Sequence, residues 1–146
     1  MIQDAVDRGA TLHTGGTTEQ IGAALFLLPT LLADATPDMA VLQEETFGPV
    51  LPVMKVTSDE QAIDLGNASQ YGLSASIFTR SRHRAEQFVA AMETGTVYVN
   101  RCNFVDARLG WIGHKNSGNG SISLSPLGLQ AFSRLRSVNV DPGLLT

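Results

Sequence analysis

The sequence predicts an α/β fold: a mostly parallel sheet flanked by helices, with a β-strand at the C-terminal end. Three observations carry that expectation. Short aliphatic or β-branched runs alternate with stretches of helical periodicity, the pattern that βαβ units leave in a sequence. An apolar fraction of 43%, with 14 glycines spread along the chain, matches an ordinary globular composition and neither a disordered nor a collagen-like one. A length of 146 residues is that of one domain able to bury most of the surface its unfolded chain exposes.

The elements follow in order. Ile2, Ala5 and Val6 share one helical face and Gly9 is a natural stop. That pattern is already running at Met1 with no capping residue ahead of it, so the chain reads as if it begins inside a helix, by truncation or as a short helix packed on a core. Thr11 to Thr14 is a short strand closed by Gly15-Gly16, and Leu25 to Leu28 a buried strand stopped by Pro29. Pro37-Asp38 is a turn. Val50 to Val56 is a strand in which Pro52 implies an edge or a bulge. Ser58 with Gln61 three residues on is a capping box opening a helix that closes near Gly66-Asn67.

Ser74 to Thr79 alternates as a strand. Ser81 caps a helix with Ala85, Phe88, Val89 and Met92 on one face, and Gly95 ends it. Thr96 to Val99 is a β-branched and aromatic strand. Asn100 to Ser125 is then long, irregular and rich in Gly, Asn and Ser, a length of loop that usually serves a function. Leu127 to Phe132 is a short helical turn, and Ser133 to Val140 alternates as a terminal strand with one wet face.

Charge and cysteine content exclude several classes. The net charge is −4, against the basic footprint a nucleic-acid binder needs. It is unevenly spread: residues 1–60 hold nine acids and two bases, residues 61–146 five acids and eight bases. Arg80, Arg82, His83 and Arg84 read as a solvated helix start. The single cysteine, Cys102, rules out an internal disulfide and any multi-thiolate zinc site. Arg101 beside it would favour a thiolate, yet a lone loop cysteine is far commoner than a catalytic one, and Cys102 with His114 makes only two metal ligands. No metal site is expected. Ala23 to Ala33, the longest apolar stretch, is interrupted at Pro29-Thr30 and too short to span a bilayer; no signal peptide is visible, so no membrane and a cytoplasmic location are the expectations. Asn67-Ala68-Ser69 matches a glycosylation acceptor by coincidence. Gly118-Asn119-Gly120 fails the dinucleotide fingerprint.

Three stretches carry a resemblance. They are Glu44-Glu45-Thr46-Phe47-Gly48-Pro49-Val50-Leu51-Pro52-Val53, then Tyr71 to Thr79, then Gly95-Thr96-Val97-Tyr98-Val99-Asn100 followed by Gly113-His114-Lys115-Asn116-Ser117-Gly118. In this order and spacing the chain resembles the C-terminal part of the aldehyde dehydrogenase superfamily, with residues 1–132 matching the end of its catalytic domain and residues 133–146 its oligomerisation strand and tail. The resemblance implies NAD or NADP as cofactor and an aldehyde as substrate. It places Glu45 on the nicotinamide-side ribose hydroxyls, a task suited to an acceptor-only carboxylate, and Phe47 beside the nicotinamide ring. The loop from Asn100 to Lys115 matches the wall of the substrate tunnel, with Val105 and Trp111 facing the aldehyde. Trp111-Ile112-Gly113-His114-Lys115 departs from the commonest form of that loop, and Arg101-Cys102-Asn103 is polar where many relatives are apolar, which leaves the substrate open.

In the family a cysteine attacks the aldehyde and a glutamate activates the water that releases the acid. Both match positions upstream of Met1, as does the nucleotide-binding half. The chain alone is therefore expected to be inactive and not to bind the cofactor by itself. A homo-oligomer, or association with a related subunit, is expected through Ser133 to Val140. The competing expectation is a non-enzymatic module or split-enzyme subunit that docks on a full-length relative, since an unpaired terminal strand is an edge seeking a partner.

Overall fold

A computed structural model describes residues 1–102 and 104–144. Asn103, noted above for its polarity, and residues 145–146 of the tail lie outside the described residues. The chain divides into two compact units, Met1–Gln70 and Tyr71–Thr146.

The first unit is built on a three-stranded sheet. Helix α1 (Ile2–Asp7) leads into β1 (Thr11–Thr14), a hairpin of β2 (Thr18–Ile21) and β3 (Ala24–Leu27), then β4 (Thr30–Ala33), a single helical turn α2 (Ala40–Gln43), β5 (Val50–Pro52) and α3 (Asp59–Asn67). The strand order is β1-β4-β5. β4 pairs antiparallel with β1, Leu12 opposite Leu32, and parallel with β5, Thr30 opposite Val50. One face of this sheet carries the core: Leu32 packs with Ala5, Ala10, Ala35, Met39 and Val41, and Ile2, Val6, Leu42 and Val50 close around them. This core explains why a helix of six residues persists without a side-chain cap, because its apolar face is sunk in the cluster. Thr30 is buried with its hydroxyl satisfied, donating to the Leu28 carbonyl at 2.8 Å and accepting the Gly16 N–H at 2.9 Å. Gly15, at φ +75, is the residue the turn demands: a Cβ there would stand 2.3 Å from the Pro29 carbonyl oxygen.

Two expectations change here. The run at Leu25 to Leu28 is a strand, but within this chain it is not buried: Leu25 is 65% and Phe26 50% exposed. An apolar run signals burial on both faces, whereas this strand forms a two-stranded ribbon, turned by Gly22 at φ +61, that no second layer covers. Pro29 ends β3 as expected, yet Thr30 starts β4, the central strand, which the proline had masked. The strand expected over Val50 to Val56 ends at Pro52. The Val53 N–H still reaches the Leu32 carbonyl at 2.7 Å, and the Val53 carbonyl accepts the Ala35 N–H at 3.2 Å, just beyond the end of the ladder. Pro52 sits on the edge strand, where a missing N–H costs no ladder bond. In α3 the Ser58 hydroxyl accepts the Gln61 N–H at 3.1 Å, while the Gln61 side chain returns to the Thr57 N–H at 2.7 Å, a capping box displaced by one residue.

The second unit contains β6 (Tyr71–Gly72), β7 (Ser74–Ile77), α4 (Arg82–Ala91), β8 (Thr96–Val99), β9 (His114–Lys115) and α5 (Ser125–Leu129), the last continued by a 3-10 turn at Gln130–Phe132. β7-α4-β8 is a βαβ unit, with Ser74 opposite Thr96 and Ile77 opposite Val99 in a parallel pair. Ser81 caps α4 by accepting the Arg84 N–H at 3.3 Å. The helix ends at Ala91 with Met92 extended, so Gly95 does not cap it. Gly95 serves close approach instead: a Cβ there would lie 1.6 Å from the Ile112 carbonyl oxygen. β6 and β9 pair antiparallel, and Trp111 bridges Ser123.

The α/β class holds, with mixed pairing. The two pairs of successive strands joined through a helix, β4 with β5 and β7 with β8, run parallel, because a crossover returns the chain in the same direction, and β1–β4, β2–β3 and β6–β9 pair antiparallel. The terminal strand expected over residues 133–140 is unpaired. Ser133 is extended, at φ −109 and ψ 148, and Leu135 beyond it is 97% exposed. A strand exists by its neighbour, and the described residues offer this segment none. Among the described residues no helix is long and apolar enough to cross a membrane.

Candidate functional site

Glu45 and Phe47 share the loop that joins α2 to β5. The loop leaves the helix through the Glu44 N–H, bonded to the Ala40 carbonyl at 2.9 Å, and is pinned where the Thr30 N–H meets the Pro49 carbonyl at 2.8 Å. Between these anchors Phe47 adopts φ +46, a backbone region unfavourable for a bulky side chain. Its ring is 92% exposed, and Glu45 is exposed as well. The loop thus holds a carboxylate and an aromatic face outward from a firmly tied base.

The second set of residues lies on the irregular segment after β8. Asn100, at φ +55, fixes its start: its amide oxygen accepts the Thr79 N–H at 2.8 Å and its amide nitrogen donates to the Thr79 carbonyl at 2.9 Å. The Tyr98 hydroxyl, on a buried ring, donates to the Phe104 carbonyl at 3.1 Å, and the Arg101 guanidinium stacks 3.9 Å from the Phe104 ring. Asp106 then clips the loop. It accepts from Arg108 through Nε at 2.9 Å and a terminal nitrogen at 2.6 Å, and takes the Arg108 backbone N–H at 3.0 Å. These bonds and the guanidinium charge hold the Asp106 carboxyl well below the usual carboxylate range, and the pairing raises Arg108 in turn.

Trp111 is held by backbone bonds to Ser123, N–H to carbonyl at 2.6 Å and the reverse at 2.9 Å. It lines an open groove of about 820 Å³ with Leu73, Ile112, Ile122, Leu124 and Phe132. Asn116, Ser117, Asn119, Ser121 and Ser123 add polar groups to this mostly apolar lining. Val105 does not line this groove; it is exposed beyond the Asp106 clip. Of the residues expected on the tunnel wall, then, the structure brings Trp111 to a cavity and leaves Val105 outside it. Cys102 is exposed, and no group of three metal-ligating side chains occurs among the described residues.

Three features of this loop escaped the sequence reading. The Asp106–Arg108 clip is legible only as a carboxylate and a guanidinium two residues apart. Asn100 carried a real signal, since asparagine tolerates positive φ where a strand ends. Gly95 reads in the sequence as a helix end, and its approach to Ile112 spans 17 positions that no local pattern reports.

Comparison with known proteins decides the family. A model of the aldehyde dehydrogenase family matches residues 1–138. The chain belongs to that family. The succinate-semialdehyde dehydrogenase [NADP(+)] of Deinococcus radiodurans is 39% identical over 141 residues, covering 97% of this chain and 29% of its own length. Human retinaldehyde dehydrogenase 3 is 34% identical over 143 residues, covering 98% of this chain and 28% of the relative. Among solved structures, an NAD-dependent aldehyde dehydrogenase from Sinorhizobium meliloti superposes with a TM-score of 0.92 at 32% identity, over 97% of this chain and 28% of that one. This aldehyde dehydrogenase chain therefore spans less than a third of the length of the relatives it matches.

Proposed function

We propose that the chain contributes the cofactor-ribose carboxylate and one wall of the substrate site to an NAD(P)-dependent aldehyde dehydrogenase that oxidises an aldehyde to a carboxylic acid. The observation that carries this is Phe47. An aromatic ring 92% exposed on a backbone at φ +46 gives up both burial and backbone ease, and a loop tied at both ends maintains that posture. Such a ring is offered to something planar and apolar. Glu45, two residues away, supplies the acceptor-only group that two ribose hydroxyls require, so the pair fits a nicotinamide nucleotide. The nicotinamide, when bound, supplies the hydride acceptor for the oxidation. The chain's own part is positional: Glu45 and Phe47 orient the nucleotide, Trp111 walls the groove, and the Asn100–Thr79 bonds and the Asp106–Arg108 clip fix the loop that carries it. Assembly through residues 133–140, as a homo-oligomer or with a related subunit, belongs to this reading. So does a cytoplasmic location, where an exposed Cys102 stays reduced.

The test is trans-complementation. The purified chain is expected to form no reduced cofactor with any of a panel of aldehydes, and to restore turnover when co-expressed with a polypeptide supplying the rest of the family's length. Glu45→Gln should then raise the KM for the cofactor. Turnover by the chain alone that survives Cys102→Ala would falsify this division of labour.

One observation favours the second reading, a module that docks on a full-length relative. The chain exposes 10786 Å². A compact monomer of this mass exposes about 7,200 Å², and two separate globules of half the mass about 8,700 Å². The excess includes Ile21, Leu25, Phe26 and Phe78. Co-purification with a full-length relative, without activity of the chain's own, is what this reading expects.

A further inference from the structure

Gly118-Asn119-Gly120 fails as a dinucleotide fingerprint, yet it sets an asparagine directly before a glycine, the one such pair in the chain. Asn119, Gly120 and Ser121 are all exposed, and Asn119 lines the groove that Trp111 walls. The Asn119 Oδ1 accepts two bonds from a single residue, the Ser121 backbone N–H at 3.0 Å and the Ser121 hydroxyl. The first of these closes a ring that contains both the Asn119 Cγ and the Gly120 nitrogen. Gly120 stands at φ +85, and a Cβ there would meet nothing within 4 Å. Its N–H has no hydrogen-bond acceptor among the described residues.

Three neighbouring residues thus hold a carbonyl carbon, a nitrogen that no side chain shields, and two donors on the oxygen where negative charge would collect. We propose that Asn119 is a self-modification site, at which the Gly120 nitrogen attacks the Asn119 Cγ and the side-chain amide becomes a carboxylate through a cyclic imide. The Gly120 nitrogen gives its proton to solvent base and bonds Cγ; the side-chain carbon–nitrogen bond then breaks and ammonia leaves. Water adds to either carbonyl of the imide. One opening gives an aspartyl residue, the other an isoaspartyl link whose main chain runs through Cβ. Ser121 is the positioning residue, since both its donors face Oδ1 as that atom takes up charge. Other described asparagines lack this setting. The N–H after Asn67 is held by the Asp64 carbonyl at 2.9 Å, and that after Asn116 by the His114 carbonyl at 3.0 Å. The Asn100 side chain is tied at both ends to Thr79, and Asn139 precedes the β-branched Val140. The new carboxylate would stand on a mostly apolar groove, and the isoaspartyl form lengthens the main chain just ahead of Ser123, whose backbone holds Trp111. None of this depends on the reading of Glu45 and Phe47.

Ageing of the full chain at neutral and mildly alkaline pH, followed by peptide mass analysis, reads the site directly. The peptide holding Asn119 should gain about 1 Da, nitrogen exchanged for oxygen, and become a methyl acceptor for an isoaspartyl methyltransferase. The rate should rise with pH, because the attacking nitrogen must first lose its proton. Ser121→Ala should slow it about threefold, the worth of one exposed hydrogen bond. Gly120→Ala should slow it about tenfold or more, since a Cβ crowds the attacking nitrogen. The emission of Trp111, the single tryptophan, should shift in step with the mass. No mass gain at Asn119, a gain shared equally with the other asparagines, or a Ser121→Ala rate equal to the parent's would each overturn the proposal. Circular dichroism of both variants, expected to match the parent, separates a slowed reaction from a lost fold.

Discussion

Replacing Gly95 by alanine puts the tightest contact of the second unit to the test. The new Cβ would lie 1.6 Å from the Ile112 carbonyl oxygen and 2.5 Å from its carbon. Unbonded carbon and oxygen do not approach closer than about 3 Å, so the Ile112 peptide must retreat by at least ~1.4 Å, as in other overpacked sites. Ile112 follows Trp111, whose two bonds to Ser123, at 2.6 and 2.9 Å, do not survive a shift of that size. Overpacking of this kind costs about 1–3 kcal/mol, and two backbone bonds add about 0.5–1.5 kcal/mol each. The sum, about 2–6 kcal/mol, is a large part of what a unit of this length possesses at ~0.05–0.15 kcal/mol per residue. Trp111 is the only tryptophan in the chain, so its emission in a urea titration reports on this region. The midpoint should fall by about 1 M or more, at an m-value of about 1–2 kcal/mol/M, with a shifted emission maximum in the folded baseline. Gly110→Ala is the control, because its Cβ would meet two side-chain ends that can yield, the Ile122 Cγ2 at 3.0 Å and the Ser125 Oγ at 3.7 Å. A Gly95→Ala midpoint and emission indistinguishable from those of Gly110→Ala would refute the packing of Ile112 on Gly95.

Three further outcomes are expected. Phe47→Gly should leave the unfolding midpoint unchanged or raise it by up to ~1 kcal/mol, since an exposed ring at positive φ contributes no burial; a clear loss would show that Phe47 packs within the chain. Asn100→Ala should cost about 1–3 kcal/mol by removing both bonds to Thr79 and the tolerance of φ +55, and Asn100→Gly less, as read by urea titration. Asp106 has a depressed carboxyl in the folded state, so its contribution is present above the ordinary carboxylate range and is lost as pH falls through the folded value. An NMR titration of Asp106 should accordingly show it charged at pH 3.8, with Arg108→Ala returning it towards its ordinary value; a normal titration in the parent would dissolve the clip.

Much of this chain is legible locally. The Ser58 and Ser81 caps, the βαβ pattern from Ser74 to Val99, the turn at Gly15-Gly16 and the edge position of Pro52 all rest on interactions within a few residues, and the structure places each as expected. Reading failed where a residue's role depends on a distant partner. β4 was hidden because Pro29 separates two strands that pair with different neighbours. Leu25 and Phe26 have the character of buried residues because that character reports what covers them, and nothing among the described residues does.

The site divides the same way. The motif around Glu45 and Phe47 is visible as a string of residues, because the proposed nucleotide loop is short and its chemistry is carried by adjacent side chains. The separation of Val105 from the Trp111 groove was not, since it depends on where the Asp106–Arg108 clip turns the chain and on Ser123 drawing Trp111 towards α5. By itself the sequence determined most local elements, the family and the residue types of the proposed cofactor loop, all consequences of short-range bonding and side-chain chemistry. Tertiary structure alone decided which backbones touch, as at Gly95 and Ile112, and which strands lie central or bare. Those outcomes are fixed by packing between segments far apart in the chain, and local periodicity holds no record of them.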